Sequence, residues 1–182
     1  ETEFQGKGIL RSGKRDAELV RGKNVCVIGG GDAAVENALI LAETAEKVTL
    51  IHRRKEFRAR QEFIEKVKLN PKITVLTEME ITKIIGNESL EAIELKQITT
   101  NQTQIYPTDA LLLRIGVEPN NELFRGQIEL DKNGYCLIDA NCETSVKDIF
   151  AIGDVANPLA PTISGAIGMG ATVSKVIETR QK

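Results

Sequence analysis

Apolar positions along this chain follow two rhythms, short unbroken runs and helical spacing, and they alternate. Val25-Cys26-Val27-Ile28 is apolar throughout and stops at Gly29-Gly30-Gly31, the pattern of a buried strand entering a tight turn. Ala34, Ala38 and Leu41 then recur at helical spacing, with Val35 and Leu39 widening the apolar face. A second strand is predicted at Val48-Thr49-Leu50-Ile51 and ends on His52-Arg53-Arg54. Residues Arg60 to Asn70 are helix-like, with Phe63, Ile64 and Val67 facing inward, and Pro71 stops them. Ile73-Thr74-Val75-Leu76 is the third strand.

From Ile81 to Tyr106 the rhythm shortens. Ile81–Ile85, Leu90–Leu95 and Gln104–Tyr106 read as consecutive strands, with turns at Asn87 and Asn101-Gln102, before a buried strand at Ala110–Leu113. A strand–helix–strand opening followed by a β-meander predicts an α/β fold with a parallel sheet and right-handed crossovers. The first 21 residues are polar, rich in Gly and Lys/Arg, and predict no strand. Beyond Ile115-Gly116, Asn133-Gly134 predicts a hairpin, Ile149–Ile152 a strand and Ile163–Ile177 a terminal helix, with a unit boundary between Gly116 and Asn120.

Composition narrows the function. Aromatics are 4% with no Trp and the net charge is −2, so neither stacking on single-stranded nucleic acid nor general DNA binding is expected. No apolar run approaches ~18 residues, so no membrane span is expected, and a cytoplasmic location is. One His and three well-spaced Cys are too few for a zinc site of the usual kind, and no metal is expected.

The glycine turn carries the first specific chemistry. Gly29, Gly31 and Ala34 fit G-x-G-x-x-A between a strand and a helix. In that pattern the first Gly permits the tight turn, the second lets backbone approach a pyrophosphate, and the Ala lets helix pack on sheet. Asp32 and Ala33 begin the helix whose free N–H groups would face phosphate oxygens, and Asp32 reads as a cap. A plain strand–helix turn is the alternative.

At the end of the second strand, a carboxylate would mark a ribose 2′-hydroxyl site. This chain has His52-Arg53-Arg54 there, with Arg58 and Arg60 following. Guanidinium groups bind a 2′-phosphate, which favours NADPH over NADH; a solvated basic surface run is the alternative. His52 lines an adenosine pocket or simply ends the strand. Glu36 faces either a nicotinamide or solvent.

VIGGGDAAVENALIL, VTLIHRRKEFRA and IGVEPNNELF leading to TSVKDIFAIGDV together resemble the thioredoxin reductase family of flavoproteins. The resemblance implies a Rossmann-like, three-layer NADPH-binding domain with a β-meander at 22–117. An interdomain crossover at 1–21 precedes it, and an incomplete second domain, the C-terminal segment of an FAD-binding domain, follows at 118–182. It also implies that Arg53, Arg54 and Arg58 hold the 2′-phosphate, that Ile115 and Gly116 border the cofactor, and that Gly153, Asp154 and Thr162 lie beside FAD.

The departures from the family pattern carry equal weight. At the two redox-cysteine positions stand Ser12 and Arg15, and the Asp that follows, Asp16, is retained. Neither Ser12 nor Arg15 can exchange a disulfide. Cys26 reads as an inert core thiol, and Cys136 and Cys142 are not expected to replace the pair. Pro161-Thr162 stands where Arg-Gln is common in the family.

With one glycine motif only, the chain reads as a fragment of a flavoprotein, inactive alone. The parent would pass hydride from NADPH to FAD and then to a ferredoxin, a quinone or a small disulfide, as a homodimer through its complete FAD domain. The alternative is an NADPH-binding regulatory or sensor module without turnover.

Overall fold

In the computed structural model, which describes residues 2–181, the chain divides after Gly116 into two units. The first contains β1 (Ile9–Leu10), β2 (Asn24–Ile28), α1 (Asp32–Ala42), β3 (Lys47–His52) and α2 (Gln61–Leu69). Then come β4 (Ile73–Thr77), β5 (Met79–Gly86), β6 (Leu90–Gln97), β7 (Thr103–Pro107) and β8 (Ala110–Leu113). Five strands form a parallel sheet in the order β1-β8-β2-β3-β4, and β5-β6-β7 form an antiparallel meander.

Strand alternation explains the layering, because successive side chains leave a strand on opposite faces. Val25 and Val27, Val48 and Leu50, and Ala110 and Leu112 point to one face, where they pack with Ala34, Val35, Ala38 and Leu41 of α1 and Val67 of α2. Cys26, Ile28, Ile51 and Leu111 point to the other, where they meet Met79, Leu90, Ile93 and Leu95 of the meander. A parallel sheet covered on both faces needs near-continuous apolar strands, and the central strands β2 and β8 supply them. The result is a three-layer α/β unit. Between its sheet and meander, the Thr49 and Tyr106 hydroxyls share a hydrogen bond of 2.9 Å.

Two strand assignments differ from the sequence expectation. The polar opening supplies β1, which pairs Ile9 with Leu111 and Leu10 with Leu112 at the sheet edge. Its two residues are too short to show any periodicity. Ile149–Ile152 does not form a strand: Phe150 makes only an isolated bridge to Glu143, between positive φ values at Asp148 (65°) and Gly153 (73°).

In the second unit, Asn133-Gly134 turns a short hairpin. The Asp131 carboxylate accepts the Asn133 and Tyr135 N–H groups at 2.8 and 2.9 Å. The terminal helix α3 runs from Ile163 to Arg180, three residues beyond the expected end, and buries no residue. Among the described residues no helix is long and apolar enough to cross a membrane.

Candidate dinucleotide-binding site

The three glycines between β2 and α1 have different reasons to be glycine. Gly29 has φ 149°, and a Cβ there would lie 2.4 Å from the Arg114 carbonyl oxygen and 2.8 Å from the Ala34 Cβ. A Cβ on Gly30 would lie 2.2 Å from the His52 ring. The fold itself therefore demands these two. Gly31 caps α1 in an extended conformation, and its Cβ position has nothing within 4 Å. The open space sits over the first amides of α1, where the exposed Asp32 and Ala33 begin a helix with unsatisfied N–H groups. That is the geometry of an anion site, to which a phosphate can come close.

Asp32 is not the cap; Gly31 is. The Asp32 carboxylate turns instead to the loop after β3, accepting the Arg60 backbone N–H at 2.7 Å and its Nε at 3.0 Å. The same loop is tied down twice more. The Arg58 N–H donates to the Gly30 carbonyl at 2.7 Å, and His52 Nε2 bonds the Glu56 carbonyl oxygen at 3.1 Å. His52 is buried, stacked 5.2 Å from Phe57, and pressed under Gly30. Burial pushes its pKa below the ordinary value; the Glu56 bond opposes this, and the Arg54, Arg58 and Arg53 charges add to it. The downward shift favours the neutral ring, which supports the turn and adds no charge.

Arg53, Arg54 and Arg58 are exposed, and among the described residues none of them makes an ion pair. Arg60 differs: its guanidinium pairs with Asp32, approaches Glu62 at 3.3 Å and lies 4.2 Å over the Phe63 ring. Three arginine side chains are thus left unpaired on the loop after β3, whose backbone is bonded to Gly30 and Asp32 of the glycine turn, and the fourth is committed to the fold. Ile115 and Gly116 follow β8 and are exposed. They are anchored next to the turn because the Arg114 N–H donates to the Ile28 carbonyl at 2.8 Å. These residues therefore meet at the carboxyl ends of β2, β3 and β8, the edge where open parallel sheets bind ligands. Glu36 is exposed on α1.

Ser12, Arg15 and Asp16 form a closed loop in the first unit. Asp16 accepts the Arg11 and Ser12 N–H groups at 2.7 and 3.0 Å, and Ser12 Oγ accepts the Arg15 N–H at 3.3 Å. Burial works to raise the Asp16 pKa, but the Ser12 and Arg11 amides and the Arg15 charge outweigh it, and the net shift is downward. The loop is pinned to α1 where Asn37 Oδ1 accepts the Gly13 N–H at 2.7 Å. Asn37 and the Asp32–Arg60 pair escape sequence reading because their partners lie 24 and 28 residues away. The three cysteines are free and buried, and burial raises all of their pKa values, that of Cys26 to about 11.

In the second unit, Gly153 is buried with φ 73° and opens a 3-10 turn, Gly153–Val155, in which Asp154 is exposed. Thr162 caps α3, its hydroxyl accepting the Gly165 N–H at 3.0 Å. At the far end of the helix, the Arg180 guanidinium pairs with Glu143 and Asp148 and lies over the Phe150 ring. Among the described residues no cluster of ligating side chains could hold a metal ion.

Residues 1–170 match the family described as pyridine nucleotide-disulphide oxidoreductase. The thioredoxin reductase of Mycolicibacterium smegmatis is 36% identical over 175 residues, covering 96% of this chain and 56% of that protein. The thioredoxin reductase of Peptoclostridium acidaminophilum is 38% identical over 161 residues, covering 85% and 51%. The crystal structure of Lactococcus lactis thioredoxin reductase in its FR conformation superposes with a TM-score of 0.86 at 27% identity, covering 98% of this chain and 59% of that one. The T. acidophilum thioredoxin reductase superposes with a TM-score of 0.84 at 26% identity. The chain spans about half the length of these relatives.

Proposed function

Because the chain belongs to the pyridine nucleotide-disulphide oxidoreductases of thioredoxin reductase type, we propose that its first unit binds NADPH and its second contributes to an FAD site. The observation that carries this reading is the joining of an open phosphate cradle at Gly31 to three unpaired arginines. The cradle's amides suit a pyrophosphate, and Arg53, Arg54 and Arg58 suit a 2′-phosphate. Gly153, Asp154 and Thr162 are the residues assigned to FAD; the Thr162 hydroxyl accepts the Gly165 N–H at the start of α3 and keeps its own O–H free to donate.

A bound NADPH would supply hydride-transfer chemistry and a bound FAD would be its acceptor. The chain's own residues would position the dinucleotide: the α1 amides would hold its pyrophosphate, Arg53, Arg54 and Arg58 its 2′-phosphate, and Ile115 and Gly116 would border it. Ser12 and Arg15 offer no thiol, and the three buried cysteines, with raised pKa values, hold little thiolate. We therefore assign the intact protein an electron acceptor other than thioredoxin. Turnover of thioredoxin with Ser12 and Arg15 in place would overturn that assignment.

The cofactor assignment is tested by titrating the wild type and the Arg53→Ala, Arg54→Ala double variant with NADPH and with NADH. Losing two charge-assisted contacts weakens NADPH by about 10- to 100-fold, with a much smaller change for NADH. Equal losses for the two nucleotides would show that the arginines do not read the 2′-phosphate.

A further inference from the structure

The glycine turn and the arginine loop are fastened in matching steps. Gly30 and Asp32, two residues apart, accept the backbone N–H groups of Arg58 and Arg60, also two residues apart, each at 2.7 Å. The first acceptor is a main-chain carbonyl that any sequence would provide. The second is the Asp32 side chain, and it also holds the Arg60 Nε. We propose that Asp32 is a positioning residue for cofactor selectivity: by latching Arg60 it holds the loop bearing Arg53, Arg54 and Arg58 in the shape that reads a 2′-phosphate. This inference rests on the NADPH reading above.

Three physical points carry it. An exposed loop with three long cations loses much conformational freedom when it closes on a phosphate, and a loop already held in shape loses less. A free carboxylate in the first turn of α1 would also repel the phosphates that this helix end attracts; pairing with Arg60 removes most of that field. Lastly, the pair is half exposed, 59% for Arg60 and 47% for Asp32. Exposed pairs add little to stability, so its removal is read in selectivity and not in loss of the fold. Because Arg60 is held by two carboxylates and a ring, it acts through the loop and not on the ligand.

The experiment measures Kd for NADPH and for NADH by nicotinamide fluorescence in the wild type, Asp32→Ala, Asp32→Asn, Arg60→Ala and the Asp32→Ala, Arg60→Ala pair. The ratio of the two constants cancels effects on the shared pyrophosphate. Asp32→Ala lowers the preference for NADPH about fivefold or more. Asp32→Asn keeps most of it, since its amide oxygen still accepts the Arg60 N–H. The double variant is no worse than Asp32→Ala, because the two residues act as one unit.

A parallel gain in affinity for both nucleotides in Asp32→Ala, with the ratio unchanged, would mean the carboxylate merely repels phosphate, and the latch would be wrong. Additive losses in the double variant would mean Arg60 touches the ligand, and would overturn the latch equally. If Asp32→Ala does not fold, the Asp32→Asn and Arg60→Ala ratios decide. A wild type with no preference for NADPH removes the cofactor reading itself, a result distinct from a wild-type preference that survives the loss of Asp32.

Discussion

Gly30 and Gly31 are neighbours of one residue type with opposite constraints, and that difference can be measured. An added methyl at Gly30 meets the buried His52 ring at 2.2 Å, whereas at Gly31 it meets nothing. Overpacking of this kind costs about 1–3 kcal/mol, so Gly30→Ala lowers the thermal midpoint. Gly31→Ala leaves the midpoint nearly unchanged and weakens both nucleotides by about tenfold or more, since a Cβ occupies the space a pyrophosphate needs. Thermal melts paired with nucleotide titrations check both; a Gly31→Ala protein that binds normally would remove the cradle. The G-x-G-x-x-A spacing is legible as a motif, and so are the arginines, because their chemistry is written in residue type. The packing of Gly30 over His52 and the commitment of Arg60 to Asp32 are not legible. They depend on which residues of distant segments the sheet brings together, and no local periodicity encodes that.

Among the elements, those between Asn24 and Leu113 were readable because each is long enough for its period to show and most are buried on a defined face. β1 was hidden because a two-residue edge strand is recruited by the exposed edge of β8 and not by its own pattern. Ile149–Ile152 misled in the opposite direction: it is apolar, but a strand needs ladder partners, and only the Glu143–Phe150 bridge is present among the described residues. The helix α3 has no buried residue; its middle lies against Ile152 and Gly153, and it is fastened at both ends. Thr162 caps the first turn, and Arg180 grips Glu143 and Asp148 at the last. Thr162→Ala therefore speeds amide exchange in the first turn, a cap of this kind being worth ~1 kcal/mol, and Arg180→Ala speeds it in the last. The Arg180 hydrogen bond, with the Asp148 amide, pulls the Glu143 pKa down to about 2 from 4.5. A carboxylate depressed in the folded state stabilises fully above its unfolded value, and the contribution fades as pH falls from about 4.5 towards 2. Last-turn protection in the wild type is accordingly flat from neutral pH down to that window and then declines. In Arg180→Ala the decline is much reduced; identical acid profiles would remove the clamp.

At the scale of the whole molecule, apolar burial is distributed unequally between the two units. Both hydrophobic clusters, one under the helices and one under the meander, are built from residues up to Leu112. Among the described residues the second unit buries Cys136, Cys142 and Ala151 as its apolar residues, and α3 presents Ile163 and Ile167 to solvent. Since burial of apolar surface is the main favourable term in folding, at roughly 25 cal/mol per Å², the first unit, ending at Gly116, is expected to be stable on its own. The candidate NADPH residues lie there too, from Gly29 to Gly116, whereas Gly153, Asp154 and Thr162 do not. A chain ending after Gly116 is therefore expected to melt in one cooperative transition and to keep NADPH affinity within about threefold of the 182-residue chain. Residues 117–182 alone are expected to show no cooperative melt. Loss of NADPH binding in the folded 1–116 chain would mean that the second unit supplies part of that site. Retention would place dinucleotide recognition entirely on the three-layer unit.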